Sequence, residues 1–191
     1  MSIHAIETIY AGRRFRSRLE ARWAVFFDEV GVSWEYEPQG YVIDGQPYLP
    51  DFLLTDCGTW VEVKGNENAL DISLMTAAAQ HLPEMPYRQE RGPRLLILGP
   101  IPSGSRRGDW GWIGLTPWTD PEEGSGIEDH HYGFGSYMKN RRPWVLYNTS
   151  EATSFACGGP WLAPAHDTYE SGVPEAYNAA LSARFEHGAR G

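Results

Sequence analysis

Between Ser17 and Val30 (SRLEARWAVFFDEV) the apolar residues Leu19, Trp23, Phe26, Phe27 and Val30 recur at three- and four-residue intervals, which places them on one face of a helix. Gly31 follows where a helix C-cap glycine belongs, so the spacing predicts one helix with its apolar face inward. The period then shortens: Val32, Trp34 and Tyr36 alternate through Val32–Pro38, the pattern of a strand. A turn at Asp44-Gly45 precedes two further expected strands, Tyr48–Leu54 and Thr59–Lys64, completing a three-stranded meander. From Ala69 to Leu82 the apolar positions Leu70, Leu74, Ala77, Ala78 and Leu82 return to helical spacing, and Pro83 and Pro86 stop the helix. Arg94–Leu98 (RLLIL), bounded by Pro93 and Gly99, is a continuous apolar run expected of a strand buried on both faces. The order α-β-β-β-α-β implies an α/β fold with a mixed sheet over about the first hundred residues.

Past Pro102 the character of the chain changes. Five of its eight tryptophans (Trp110, Trp112, Trp118, Trp144 and Trp161) lie there among many glycines, and residues 108–138 carry six acidic side chains with no Lys or Arg. So aromatic a stretch does not suit a flexible tail. It is expected to form an irregular or β-rich extension (105–191) packed on a core (1–104) and closed by a helix from Pro174 to about His187. Tryptophans at this density favour packing over base stacking. The acidic loop from Asp109 to Asp129 could shield a site or meet a basic partner protein.

Composition narrows the class. With 191 residues, 41% hydrophobic and 13% aromatic, the chain suits one compact domain with an elaborated end and neither a disordered nor a fibrous protein. Cys57 and Cys157 form no CxxC and have no His at zinc-ligand spacing, which points to a reducing, cytoplasmic setting. MSIHAIETIYAG lacks the layout of a secretion signal, and no apolar run approaches the roughly 18 residues of a membrane span. The net charge of −9, from 25 acidic against 16 basic residues, argues at first against nucleic acid.

The candidate chemistry is Pro50-Asp51-Phe52 followed by Glu62-Val63-Lys64. Side chains two apart on a strand share a face, so Glu62 and Lys64 point together while Val61 and Val63 enter the core. Asp51, on the preceding strand, can lie across from them. Two carboxylates held close are hard oxygen ligands for Mg²⁺, with Mn²⁺ as a substitute, and Lys64 beside them could orient a water or stabilise charge at phosphorus. Metal-assisted phosphodiester hydrolysis is the reaction class this suggests. Lys64 is one of only two lysines against fourteen arginines, which points to a requirement for a compact ammonium there.

These residues resemble the PD-(D/E)XK nuclease superfamily, from about Arg13 to Gly99: Glu20 on the first helix, Pro50-Asp51, and Glu62-x-Lys64. Within it, SRLEARWAVFFDEVGVSWEYEPQGY, YLPDFLL and WVEVKG look most like phage-encoded homologues and the endonuclease domains of TnsA-like transposon proteins. The resemblance implies a restriction-endonuclease-like αβββαβ core and Mg²⁺-dependent DNA endonuclease activity, with Glu20, Asp51 and Glu62 around the metal and Lys64 catalytic. Gln80 is followed by Glu84 where the exonuclease branch carries Gln-x-x-x-Tyr, which counts against a processive exonuclease.

Plainer readings stand beside these. Glu20 lies three after Ser17, the spacing of a capping box, a role that competes for the same carboxylate. Asp51, Glu62 and Lys64 could be a structural ion pair on a sheet, and Glu67 and Asp71 suit capping of the second helix. Arg13, Arg14, Arg16, Arg18 and Arg22 gather around the first helix and are candidate contacts to DNA phosphates, or a solvated basic face. Arg106-Arg107 and Arg141-Arg142 are weaker candidates, His130-His131 reads as a surface loop, and the cysteines read as inert thiols. The competing functions are a non-catalytic nucleic-acid or protein-binding module on a nuclease scaffold and an acidic DNA mimic that inhibits a DNA-binding protein. Cutting two strands would call for a homodimer or a partner protein, and no membrane contact is expected.

Overall fold

The helical spacing of the first segment is realised as α1 (Arg18–Val30). Ser17 caps it, its Oγ accepting the Glu20 N–H at 3.1 Å, and Gly31 ends it at φ 76°, a conformation that favours a residue without Cβ. The computed structural model describes residues 7–66, 68, 70–86, 92–102, 112–137, 142–148 and 172–187. Before α1 lie β1 (Thr8–Tyr10) and β2 (Arg13–Phe15); after it come β3 (Trp34–Tyr36), β4 (Tyr41–Ile43), β5 (Gln46–Tyr48), β6 (Phe52–Leu54) and β7 (Thr59–Val63). Next are α2 (Ile72–His81), β8 (Leu95–Leu98), β9 (Trp112–Asp120), β10 (Gly124–Tyr137), β11 (Arg142–Asn148), α3 (Val173–Ser182) and β12 (Glu186–His187).

Seven strands form one mixed sheet in the order β11-β10-β9-β8-β7-β6-β3, in which β7 and β8 are parallel and the other pairs antiparallel. A parallel pair needs a long crossover, and α2 supplies it between β7 and β8. The sheet separates two apolar layers by strict alternation. Phe52, Leu54, Val61, Val63, Leu96 and Leu98 pack with α1 and α3, while Leu53, Trp60, Leu95 and Ile97 pack with α2 and with Ile43 and Tyr48 of the β4–β5 hairpin. β8 is buried on both faces, as its unbroken apolar run requires.

The second helix begins at Ile72 rather than Ala69, because the Asp71 carboxylate accepts the Leu74 N–H at 3.0 Å and so fixes the start. The expected strand Tyr48–Leu54 is two elements: β5 closes a two-stranded hairpin with β4 around Asp44-Gly45, and β6 starts only at Phe52. Pro50 lies between them and has no N–H for a ladder, so Asp51 stands at the lip of β6 instead of inside a strand.

The Trp- and Gly-rich segment extends the same sheet. β9 pairs with β8, and α3 packs on α1, where Tyr177 stacks on Phe26 with centroids 4.6 Å apart and Trp112 meets Trp23 edge-on at 4.9 Å. From Trp112 onward the acidic stretch is no loop: β9 and β10 form a long hairpin with Asp120, Glu122 and Glu123 at its tip. His130 and His131, read as a surface loop, lie within β10, and His131 is buried. The last helix ends at Ser182, and β12 then pairs with β1. Glu67, Arg106, Arg107, Asp109, Trp110, Arg141, Cys157 and Trp161 lie outside the described residues. Among the described residues, no helix is long and apolar enough to cross a membrane.

Gly114 is where β9 closes on the core, since a Cβ there would stand 2.5 Å from the Tyr132 ring and 2.6 Å from Pro93. Gly114→Val should therefore cost about 1–3 kcal/mol in a urea unfolding titration. An unchanged midpoint would show that β9 and β10 do not pack as described.

Candidate active site

β6 and β7 pair with Phe52 opposite Val61 and Leu54 opposite Thr59. One step outward, the same register sets Asp51 opposite Glu62, and since Phe52 and Val61 face α1, this pair faces the other way, toward α2 and the hairpin. Both carboxylates are buried, Asp51 at 4% and Glu62 at 5% exposure, and Glu20 reaches the same place from α1 at 7%. Glu20, Asp51, Glu62 and Lys64 line one cavity of about 790 Å³, together with Arg16, Tyr48 and the first turns of α2.

Each acid is held by donors. Asp51 Oδ2 accepts the Val63 N–H at 2.7 Å, and its Oδ1 accepts from Arg16 Nη2 at 3.0 Å. Lys64 Nζ lies 2.6 Å from Glu62 Oε1, while the Tyr48 hydroxyl donates to Glu62 Oε2 at 2.9 Å. The backbone N–H of Lys64 donates to Leu98 O at 2.8 Å, tying this residue to the end of β8. Glu20 Oε2 accepts from the Tyr36 hydroxyl at 2.6 Å and from the Arg16 N–H at 3.1 Å. The capping box is thus half realised: Ser17 caps Glu20, but the Glu20 carboxylate reaches the amide of Arg16, one residue earlier, and still faces the cavity.

Burial, and then the facing charges of Glu62 and Glu20, hold the Asp51 carboxyl well above the usual carboxylate range, against the pull of the Val63 N–H and Arg16. Burial and the Glu62 charge push the Tyr48 hydroxyl far up, so it remains a donor; burial and its bond to Glu20 do the same for Tyr36. Glu37 joins the cluster, its carboxylate paired with Arg16 Nε. Among the described residues, five formal negative charges, on Glu20, Glu37, Asp51, Glu62 and Asp71, then face two positive ones, on Arg16 and Lys64. Among the described residues no three His, Cys, Asp or Glu side chains stand together as a metal-binding group. The donor chemistry still fits a hard divalent ion, because Mg²⁺ takes one or two carboxylates and fills its shell with water and phosphate oxygens.

Of the five arginines, Arg16 alone lines the cavity. Arg13 lies over the Trp34 ring at 5.1 Å, Arg14 pairs with Glu7 at 3.3 Å, and Arg18 and Arg22 are half-buried on α1. Cys57 is buried, and burial pushes its thiol up to about 11, as suits an inert residue. Three residues of the site escape a reading of the sequence: Tyr36, Tyr48 and Glu37. Tyr36 and Tyr48 look like apolar strand positions. The one signal for Tyr48 is that it stands three before Asp51 across a proline that breaks the strand.

A carboxyl that holds its proton more tightly folded than unfolded weakens the fold when ionised. The penalty is absent below the ordinary carboxylate range, grows as pH rises toward the folded value, and is constant above it. Asp51→Asn should consequently unfold at higher urea than the parent at pH 7.5, by on the order of 1 kcal/mol, with the gain vanishing near pH 4. A variant less stable at pH 7.5 would contradict this.

Comparison with protein-family models, with curated proteins and with solved structures finds no match to this chain, so the chemistry of the site rests on its own residues.

Proposed function

We propose that the protein is a metal-dependent DNA endonuclease of the PD-(D/E)XK type, with its restriction-endonuclease-like core running from α1 to β8. The observation that carries this reading is the convergence in one cavity of Asp51, Glu62 and Lys64, set there by the β6–β7 register, with Glu20 reaching it from α1. A purely structural ion pair would not call for buried, facing carboxylates, which destabilise a sheet unless something else compensates them. Asp51 and Glu62 would hold the ion, with Glu20 facing the same cavity. When bound, it supplies charge neutralisation at the phosphoryl oxygens and a water of lowered pKa.

The chain's own groups do the rest. Tyr48 clamps one oxygen of Glu62 and Lys64 the other, which fixes the carboxylate plane. The Lys64 ammonium, about three-tenths exposed, can face a substrate oxygen and stabilise the negative charge that builds as water adds to phosphorus and the P–O ester bond breaks. Arg16, more than half exposed, offers a second cation at the mouth.

The test is incubation of purified protein with Mg²⁺ or Mn²⁺ and linear, circular, branched and single-stranded DNA. The parent should release products that EDTA abolishes, and Asp51→Asn and Lys64→Ala should each cut at least about a hundredfold more slowly while remaining folded. Either variant cutting at the parent rate overturns the assignment. A parent that retards DNA without any product would instead indicate a binding module.

A further inference from the structure

We propose that Glu37 positions Arg16 as the anchor for a DNA backbone phosphate at the mouth of the cavity; this deepens the nuclease reading and rests on it. The Arg16 guanidinium is held at two points, its Nε by the Glu37 carboxylate and its Nη2 by Asp51 Oδ1 at 3.0 Å. Those two acids occupy only part of a five-donor planar fork, which is shaped to grip phosphate oxygens in pairs. The side chain is 57% exposed, so an anion can reach it, whereas Asp51 behind it is buried.

Glu37 is held in an unusual way to do this. Its φ is 45°. Among the described residues the other non-glycine residues with positive φ, Ala11 and Asp44, each precede a glycine in a hairpin turn, Gly12 and Gly45. Glu37 precedes Pro38, a context that favours extended backbone. The conformation is locked from both ends: the Glu37 N–H donates to Asp51 O at 2.9 Å, and the carboxylate closes on Arg16. Such strain persists where the surrounding structure dictates it. Here it turns an acidic side chain back onto Arg16, the one arginine among the described residues that lines the cavity.

The charge balance gives the choice of phosphate its reason. Among the described residues, Arg16 and Lys64 are the cations facing a group of acids, so an anion enters only where a guanidinium is fixed ahead of those acids and cannot fold back wholly onto them. Glu37 takes the Nε edge and Asp51 one position on Nη2, so the donors left for an anion are the remaining N–H groups of the exposed fork.

The measurement is fluorescence anisotropy of a short fluorescein-labelled duplex and its single strand, in Mg²⁺, with every protein in the Lys64→Ala background so that the DNA stays intact. Arg16→Gln should weaken binding roughly tenfold, Glu37→Gln and Glu37→Gly should match it, and Arg16→Gln with Glu37→Gly should be no weaker than Arg16→Gln alone. Glu37→Gly discriminates, because glycine relieves the positive φ: its melting temperature should equal or exceed that of the background protein while DNA binding falls. If Glu37→Gly binds DNA normally while Arg16→Gln does not, Glu37 has no positioning role; if both bind normally, Arg16 is no anchor. Failure of the background protein itself to bind either DNA would sink the nuclease reading, and this inference with it.

Discussion

Two buried carboxylates, Asp51 and Glu62, face each other across adjacent strands, and the architecture around them can be understood as the means of keeping them there. A like-charged pair directly opposite in a sheet is unfavourable, and burial makes it more so. Three kinds of compensation meet it: a backbone N–H from Val63, cations from Arg16 and Lys64, and a hydroxyl from Tyr48. They are incomplete, since the Asp51 carboxyl remains well above its ordinary range through burial and its acidic neighbours.

The scaffold explains why the pair does not simply move apart. Val61 and Val63 on β7 and Phe52 on β6 are locked into the α1–α3 layer, and a slip of one residue would carry all three to the wrong face. The C-terminal segment strengthens that layer: Tyr177 and Trp112 close against Phe26 and Trp23, and the indole N–H of Trp23 donates to Gly99 O at 2.9 Å. Aromatic residues far along the chain thus hold rigid the strands that carry the acids.

Much of this is legible in the residues because it is local and periodic. The 3.6-residue spacing of α1 with Gly31 after it, the unbroken apolar run of β8, and the shared face of Glu62 and Lys64 all follow from short-range geometry. What is not legible depends on long-range placement. Pro50 splits a stretch that alternates like a single strand, which puts Asp51 at a strand's lip and turns Tyr48 inward as a hydrogen-bond donor. The long β9–β10 hairpin hides behind an acidic, glycine-rich composition that resembles a loop. Glu37 gives no sign of its positive φ, since its neighbours suit extended backbone and the constraint comes from Asp51 and Arg16. For the same reason the five arginines look alike in sequence, yet only Arg16 reaches the cavity.

Net charge also takes on a different meaning. Part of the excess of acid lies at the tip of the β9–β10 hairpin and part in the cavity, where it would be neutralised in a working site. The central claim is that the β6–β7 register forces two carboxylates together in a buried place. Its most direct test is a ¹³C NMR titration of the Asp51 carboxyl in the metal-free protein. The account predicts a midpoint well above the ordinary value near 3.8, falling when Glu62 is replaced by Gln. A midpoint at or below the ordinary value, or one indifferent to Glu62→Gln, would contradict it.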